Sequence, residues 1–383
     1  MFPELSPVEA SLVESARTFA ADQVAPHAAG WEWERRVPVE TFRAAAQAGL
    51  AGMLVPEALG GPGISLTALA RVMEELAACS LPFAFMLVVH NNLAGNIARN
   101  GTPEQQARYL PGMLRGERIG AFCLTEPGAG SDAAAIATSA RPEGTEWRLD
   151  GRKSWVSNGA VADVLSVYAQ TDPAMGARGI ACFLVDGGHG GWEREPPYRL
   201  LGGHALGASG LAFNDCRVPA SQVLQPAGKA FRSAMEGIDL ARAVVGAMCC
   251  GMMRTGLNTA LRYAAQRQVF GGPLSHQQGV RWQLADVATD LEAARLLTYN
   301  ATRALDAGEN ATLPAAHAKK FATRAAHSGL SACMQALGAD GLKDDHPLAQ
   351  HLVGAKIAQY LDGTTEIQNV VISRALFKNL EGV

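Results

Sequence analysis

The apolar residues of this chain repeat with a helical period at both ends and lose it in the middle. That change of period limits the fold more than any single motif does. Ser6-Pro7-Val8-Glu9 is a capping box with proline at the first helical position, and it predicts a helix to about Ala25. Pro38-Val39-Glu40 opens a second helix that ends near Gly49. Leu66 to Ala78 carries Leu66, Leu69, Ala70, Met73 and Leu76 or Ala77 on one side, and Thr102-Pro103-Glu104-Gln105 is another capping box before Tyr109, Leu110, Met113 and Leu114. Residues 1–120 therefore read as a helical unit.

Between 121 and 228 the period becomes that of strands. Gly120 to Thr125, Glu146 to Leu149, Val164 to Ala169, Ile180 to Val185 and Leu211 to Phe213 are short apolar or alternating runs. Asp150-Gly151 is expected to be a two-residue hairpin turn, and Asn214-Asp215 the end of a strand. From 229 to 383 the helical period returns, over about 229–267, 276–307, 313–337, 347–360 and 364–379, with breaks at Gly271-Gly272-Pro273, Gly308, Gly338 and Asp362-Gly363. Long helices with short links make a bundle. Helical and strand segments fall into blocks and do not alternate, so the class is α+β and a doubly wound sheet is disfavoured.

The chain has 383 residues, 48% of them hydrophobic, enough for a large core in more than one unit. A formal charge of −3 does not point to nucleic acid. No apolar run approaches the roughly 20 residues that span a bilayer. The start, Met1-Phe2-Pro3-Glu4, lacks the look of a secretion or transit signal, so the cytoplasm is expected. None of the seven cysteines forms a C-x-x-C pair, and reduced, buried thiols are expected. His346 and His351 have the wrong spacing for one helix face, which argues against a metal site. Dinucleotide and P-loop fingerprints are missing, as are H-E-x-x-H and G-x-S-x-G.

Several stretches could carry chemistry, and each has a plain structural reading beside it. Glu126-Pro127-Gly128-Ala129-Gly130-Ser131-Asp132 is a glycine-rich loop after a strand; it can turn amides toward a ligand, or be an ordinary surface loop. Trp155 and Ser157, two residues apart on a strand, would share one face and could wall a flat ring; a core tryptophan is the alternative. Arg267-Gln268-Val269-Phe270-Gly271 ends a long helix with a cation, which suits either the helix dipole or a phosphate. Gln335-Ala336-Leu337-Gly338-Ala339-Asp340-Gly341 is a glycine helix end. Asp362-Gly363-Thr364-Thr365-Glu366 lies at a joint between helices, where Asp362 or Thr364 could simply cap the last one. Singly, each plain reading suffices.

Together and in this order, the motifs resemble those of the acyl-CoA dehydrogenase family. The matching stretches are Ala121-Phe122-Cys123-Leu124-Thr125-Glu126-Pro127-Gly128-Ala129-Gly130-Ser131-Asp132, Trp155 to Gly159, Arg267 to Gly271, Gln335 to Gly341, and Gly363-Thr364-Thr365-Glu366-Ile367-Gln368. The resemblance implies a helical N-terminal domain (1–120), a β-barrel-like middle domain (121–228) and a C-terminal four-helix bundle (229–383). It implies bound FAD and α,β-dehydrogenation of an acyl-CoA thioester to the trans-2-enoyl-CoA, with proton abstraction by Asp362 and hydride transfer to flavin N5. Electrons would pass on to an electron-transfer flavoprotein. By position, Phe122, Leu124, Thr125, Gly130, Ser131, Trp155, Ser157, Thr364, Glu366 and Gln368 would contact the cofactor. Phe270 would also contact the cofactor, and Arg267, Gln278 and the 335–339 segment, with Gln335, Gly338 and Ala339, would reach the FAD of a neighbouring subunit, implying a homo-oligomer, usually a dimer of dimers. Ser131, Asp239, Arg242 and Gly363 would meet the substrate.

The chain departs from the family pattern at its centre. Asp362 stands where glutamate is usual, one methylene and roughly 1.5 Å shorter. Ala241 occupies the position where some members carry the base instead, so Asp362 is the base or there is no conventional one. Ser157 replaces threonine and keeps the hydroxyl; Gln277 replaces an aromatic residue and Ala339 a glycine. The expected reaction is dehydrogenation of short or branched-short acyl chains. The alternatives are a member rebuilt for an unusual acyl-CoA or an acyl carrier protein thioester, and a non-catalytic flavin- or CoA-binding protein. They differ in whether any thioester bleaches the flavin and whether Asp362 is needed.

Overall fold

The computed structural model describes residues 4–378, so Met1-Phe2-Pro3 and residue 379 of the last expected helix lie outside the described chain. The first block is helical: α1 (Pro7–Phe19), α2 (Ala28–Glu34), α3 (Val39–Gln47), α4 (Leu66–Ala77), α5 (Leu81–Asn100) and α6 (Pro103–Leu114). Both expected capping boxes form, at Ser6/Glu9 and Thr102/Gln105. Helices α2 and α5 are the ones the periodicity missed. Helix α2 is short, at seven residues. Helix α5 is buried on nearly every side, so it has no polar stripe to set a period.

The middle block is one sheet. Its strands are β1 (Gly120–Cys123), β2 (Ser139–Glu143), β3 (Glu146–Val156), β4 (Val164–Gln170), β5 (Ile180–Asp186), β6 (Trp192–Arg194), β7 (Ser209–Pro219) and β8 (Val223–Gln225). They run in the order β6-β7-β3-β2-β4-β5-β8, with β1 added parallel to β4. One face gathers Leu149, Val156, Leu165, Phe183, Leu211 and Phe213 into a single apolar cluster, so the sheet curls around its own core.

Two turn assignments made from sequence are wrong, and the reason is shared. Asp150-Gly151 is not a hairpin turn, because β3 runs straight through it; Asn214-Asp215 does not end β7. Leu149 pairs with Cys216 and Gly151 with Phe213, so Asp150 faces both Asn214 and Asp215 across a β-bulge. The Asp215 amide donates to Asp150 Oδ1 at 2.8 Å in place of a ladder bond. Residues that favour turns also favour bulges, because both need unusual backbone angles. The real hairpin turn is Gly144-Thr145, between the paired Glu143 and Glu146, with Gly144 at φ 64°.

The last block comprises α7 (Ala230–Gln266), α8 (Gln278–Asp306), α9 (Thr312–Ala336), α10 (Leu348–Ala358) and α11 (Thr365–Lys378), with a small hairpin, β9 (Gln268–Val269) and β10 (Gly272–Pro273), after α7. Asp306, at the end of α8, accepts from the amides of Leu66 and Thr67 at 2.6 and 3.0 Å and so caps α4. The fold class expected from sequence is the one observed: helices, then a curled sheet, then a helical bundle.

Gly151 has φ 152°, and a β-carbon there would lie 2.5 Å from Thr138 Oγ1 and 2.7 Å from Thr138 Cα. Gly151→Ala is expected to destabilise the protein by about 1–3 kcal/mol. A lowered midpoint in urea unfolding checks this.

Candidate active site

The helical run of α10 ends in a tight joint, 359–364, before α11 begins. Asp362 sits there at φ 50° and Gly363 at φ 92°. Aspartate is among the few side-chain-bearing residues found regularly in the left-handed region. Gly363 is needed for contact as well as conformation: a β-carbon would meet Arg242 Nη2, Gln368 Nε2 and Ile367 Cγ2, each at 3.2 Å.

Side chains from three helices hold the joint by its backbone carbonyls. On α7, Arg242 Nε donates to Asp362 O at 3.0 Å. On α9, the fully buried Lys319 donates from Nζ to Gly363 O at 2.7 Å and to Gln359 O at 3.4 Å. On α11, Gln368 Nε2 donates to Gly363 O at 2.9 Å. Arg242 is itself fixed by Asp239, at 2.8 Å, and Asp239 Oδ2 accepts from Thr312 Oγ1 at 2.6 Å. The carboxylate of Asp362 is left out of this network. Residue 362 as a whole is half-buried, yet its Oδ2 is out of reach of solvent and has no hydrogen-bond partner among the described residues. Burial pushes its carboxyl up to about 6, against the attraction of Lys319 and Arg242. Burial likewise pulls Lys319 down to about 8, against the attraction of Asp362.

A second cluster forms where β1, β3 and the glycine-rich loop meet. The Ser154 amide donates to Thr125 O at 2.9 Å, which ties the end of β3 to the start of the loop. The loop is tied down from beneath: buried Lys153 donates to Leu124 O at 3.0 Å and to Glu126 Oε1 at 2.7 Å. Glu126 also accepts from the amides of Ala137 and Thr138. Burial opposes charge on Glu126, but Lys153, Thr138 and Ala137 outweigh it and hold the carboxyl below its usual range. Gly128 and Gly130 have nothing within 4 Å of where a β-carbon would stand, and Ser131 is exposed beside them. Phe122 is half-buried, its ring 5.0 Å from that of Tyr168.

The expected strand alternation of Trp155 and Ser157 does not hold. The β3–β7 register shifts between Lys153 and Val156, β3 ends at Val156, and Trp155 has φ 55°. The indole is exposed and Ser157 half-buried. Next to them, buried Asn158 donates to Met86 O and Gly120 O at 3.0 and 2.9 Å, locking this segment to α5 and β1.

A third group lies elsewhere. Arg267, Phe270, Gln278, Gln335, Gly338 and Ala339 are all exposed, around the far ends of α7 and α9. Arg267 caps α7, and Gly338, at φ 63°, follows the end of α9 as a glycine stop. From Arg242 to Arg267 along a straight helix is ~37 Å at ~1.5 Å per residue. These residues cannot act on one ring system beside Asp362 of the same chain. Thr364 and Glu366 are near the joint, half-buried and exposed respectively. Between α5, α7, β1 and β4 a cavity is lined by Asn92, Leu93, Phe122, Ser166, Tyr168 and Gly237.

Sequence reasoning missed Lys153, Asn158 and Lys319. Lys319 had a readable signal, since it falls on the apolar stripe of Ala315, Ala322 and Ala326 along α9.

Models of the acyl-CoA dehydrogenase N-terminal, middle and C-terminal domains match residues 6–117, 121–216 and 228–377. The human mitochondrial short-chain specific acyl-CoA dehydrogenase is 35% identical over 98% of this chain and 92% of its own. The solved butyryl-CoA dehydrogenase of Megasphaera elsdenii superposes with a TM-score of 0.95 at 32% identity, over 98% of this chain and all of that one. A glutaryl-CoA dehydrogenase of Mycobacterium smegmatis, solved in complex with FADH2, gives 0.92 at 29% identity, over 98% and 95%. The chain belongs to the acyl-CoA dehydrogenase family. It is an FAD-dependent oxidoreductase, an acyl-CoA dehydrogenase. The residues present fit FAD: an exposed indole at Trp155 and a glycine cradle open at Gly128 and Gly130.

Glu126→Gln would leave Lys153 buried without its anion. It is expected to cost about 3–5 kcal/mol of stability, read as a fall in the urea midpoint, and to loosen FAD, read by ultrafiltration of the yellow protein.

Proposed function

We propose that Asp362 is the general base that removes the α-proton of a short-chain acyl-CoA thioester; with the β-hydrogen lost as hydride to bound FAD, the product would be the trans-2-enoyl-CoA. The orphaned, desolvated carboxylate oxygen of Asp362 carries this reading. A carboxylate stripped of water and of hydrogen bonds is a stronger base than one in solvent, and its titration near 6 keeps it ionised at neutral pH. Arg242, Lys319 and Gln368 fix the backbone that carries it, and they leave its oxygens free. The shorter reach of aspartate goes with the left-handed backbone at 362, which sets where the carboxyl points. Bound FAD supplies the two-electron acceptor. Phe122, Leu124, Thr125, Gly130, Ser131, Trp155 and Ser157 would hold it on one side and Thr364 and Glu366 at the joint. Gln368 would act from behind, through its hold on Gly363.

Substrate would approach along α7, past the Phe122 and Gly237 side of the cavity, toward Asp239, Arg242 and Gly363. Short acyl chains are favoured by likeness to the short-chain and butyryl-CoA enzymes. The exposed set at the far end of the bundle, with Phe270 98% exposed, suits a contact with the FAD of a second subunit in a homo-oligomer. An electron-transfer flavoprotein would be the acceptor. The cytoplasm is the proposed compartment, in keeping with seven cysteines that form no disulfide.

Anaerobic mixing of the yellow protein with an acyl-CoA series tests the activity. Bleaching should be fastest with short chains, and no bleaching at any length would sink the reading. Asp362→Asn is expected to slow bleaching on the order of 10²- to 10⁴-fold while the flavin spectrum stays. In the parent, the rate should fall as pH drops through about 6, because the raised carboxyl then takes up a proton. Lys319→Met removes a positive charge that favours the carboxylate, so the midpoint of that profile should move to higher pH.

A further inference from the structure

Trp155 keeps a left-handed backbone, φ 55°, that bulky residues rarely adopt. Burial does not compensate, since the residue is 62% exposed. Such a conformation persists where the surroundings over-determine it. Here the surroundings include Tyr198. The phenol ring of Tyr198 lies 4.6 Å from the indole, tilted by 47°, and the Trp155 amide donates to Tyr198 Oη at 3.4 Å. Tyr198 belongs to a strap that links β6 to β7. The amide of Glu195 donates to Gly210 O and that of Tyr198 to Ala208 O, both at 2.9 Å, which lays the strap along the start of β7. Glu195 is paired with Arg152 of β3 at 2.6 Å. Gly210 has no room for a side chain, because a β-carbon would collide with the Glu195 carboxylate. Further on, Glu32 of α2 accepts from the amides of Gly203 and His204 at 2.7 and 3.1 Å. The strap is thus fixed on both sides of Tyr198.

We propose that Tyr198 is a positioning residue for the cofactor: its ring and hydroxyl hold the exposed indole of Trp155 at the angle at which it walls the flavin. This rests on the reading of Trp155 as a flavin wall. Tyr198 need not touch FAD to do so. It acts through Trp155, and the strap transmits the hold of Arg152 and Glu32 to that one indole.

The test is a double-mutant cycle on the FAD-loaded enzyme with Tyr198→Leu, Trp155→Ala and the pair. Readouts are the visible circular dichroism of the bound flavin, the FAD dissociation constant, and kcat and KM with butyryl-CoA, with urea unfolding as the fold control. Tyr198→Leu is expected to change the flavin dichroism, weaken FAD binding on the order of 10-fold and lower kcat with KM unchanged, since small misplacements are costly in rate. The double variant should match Trp155→Ala alone. Additive losses in the double variant overturn the proposal. So does unchanged flavin dichroism in Tyr198→Leu when Trp155→Ala changes it. If Trp155→Ala itself changes neither dichroism nor FAD affinity, the wall reading fails and the proposal with it. Should Tyr198→Leu not fold, Tyr198→Phe replaces it: loss of the hydroxyl contact must shift the dichroism, and no shift overturns the proposal.

Discussion

The ammonium of Lys319 is fully buried, and its hydrogen bonds end on two backbone carbonyls, those of Gly363 and Gln359. Burying a charge without a bonded anion is unfavourable, so the helices around it must pack well enough to offset the cost. The return is geometric. With Lys319 and Gln368 on Gly363 O and Arg242 on Asp362 O, the joint has little freedom left, and a left-handed aspartate is held in place. The nearby cations then act against burial, which alone would push the carboxyl higher than about 6.

The middle sheet solves a similar problem with a second buried lysine. Lys153 fastens the backbone of Leu124 and the carboxylate of Glu126, which in turn holds the amides of Ala137 and Thr138. The exposed glycines of the loop are free to face a ligand because the loop is secured from its inner side. Irregularities in β3 finish the arrangement. One bulge faces Asn214 and Asp215; the other breaks the alternation at Trp155 and turns the indole outward. Bulges commonly re-aim side chains next to active sites.

Much of this was legible in the chain itself. The switch of apolar period from helix to strand and back fixed the α+β class, because each period buries only one kind of face. The capping boxes at Ser6 and Thr102 marked helix starts through local hydrogen bonds that need no distant partner. The ordered motifs from Ala121 to Gln368 pointed to the family and singled out Asp362. What periodicity could not find was the short α2, α5, which is buried on nearly every side, and the bulges at Asp150-Gly151 and Asn214-Asp215, whose residues read equally well as turns.

Only the tertiary structure shows what surrounds Asp362. By sequence it could have been a helix cap, and local chemistry could not choose. Burial of its Oδ2, the approach of Lys319 and Arg242 from separate helices, and the left-handed backbone all depend on packing between α7, α9, α10 and α11. The same holds for Tyr198, whose contact with Trp155 joins residues 43 positions apart in the chain. Sequence determines which faces are apolar and where the backbone can turn. A desolvated carboxylate and a clamped indole arise only when distant segments meet, because desolvation and contact are properties of the surroundings and not of the residue.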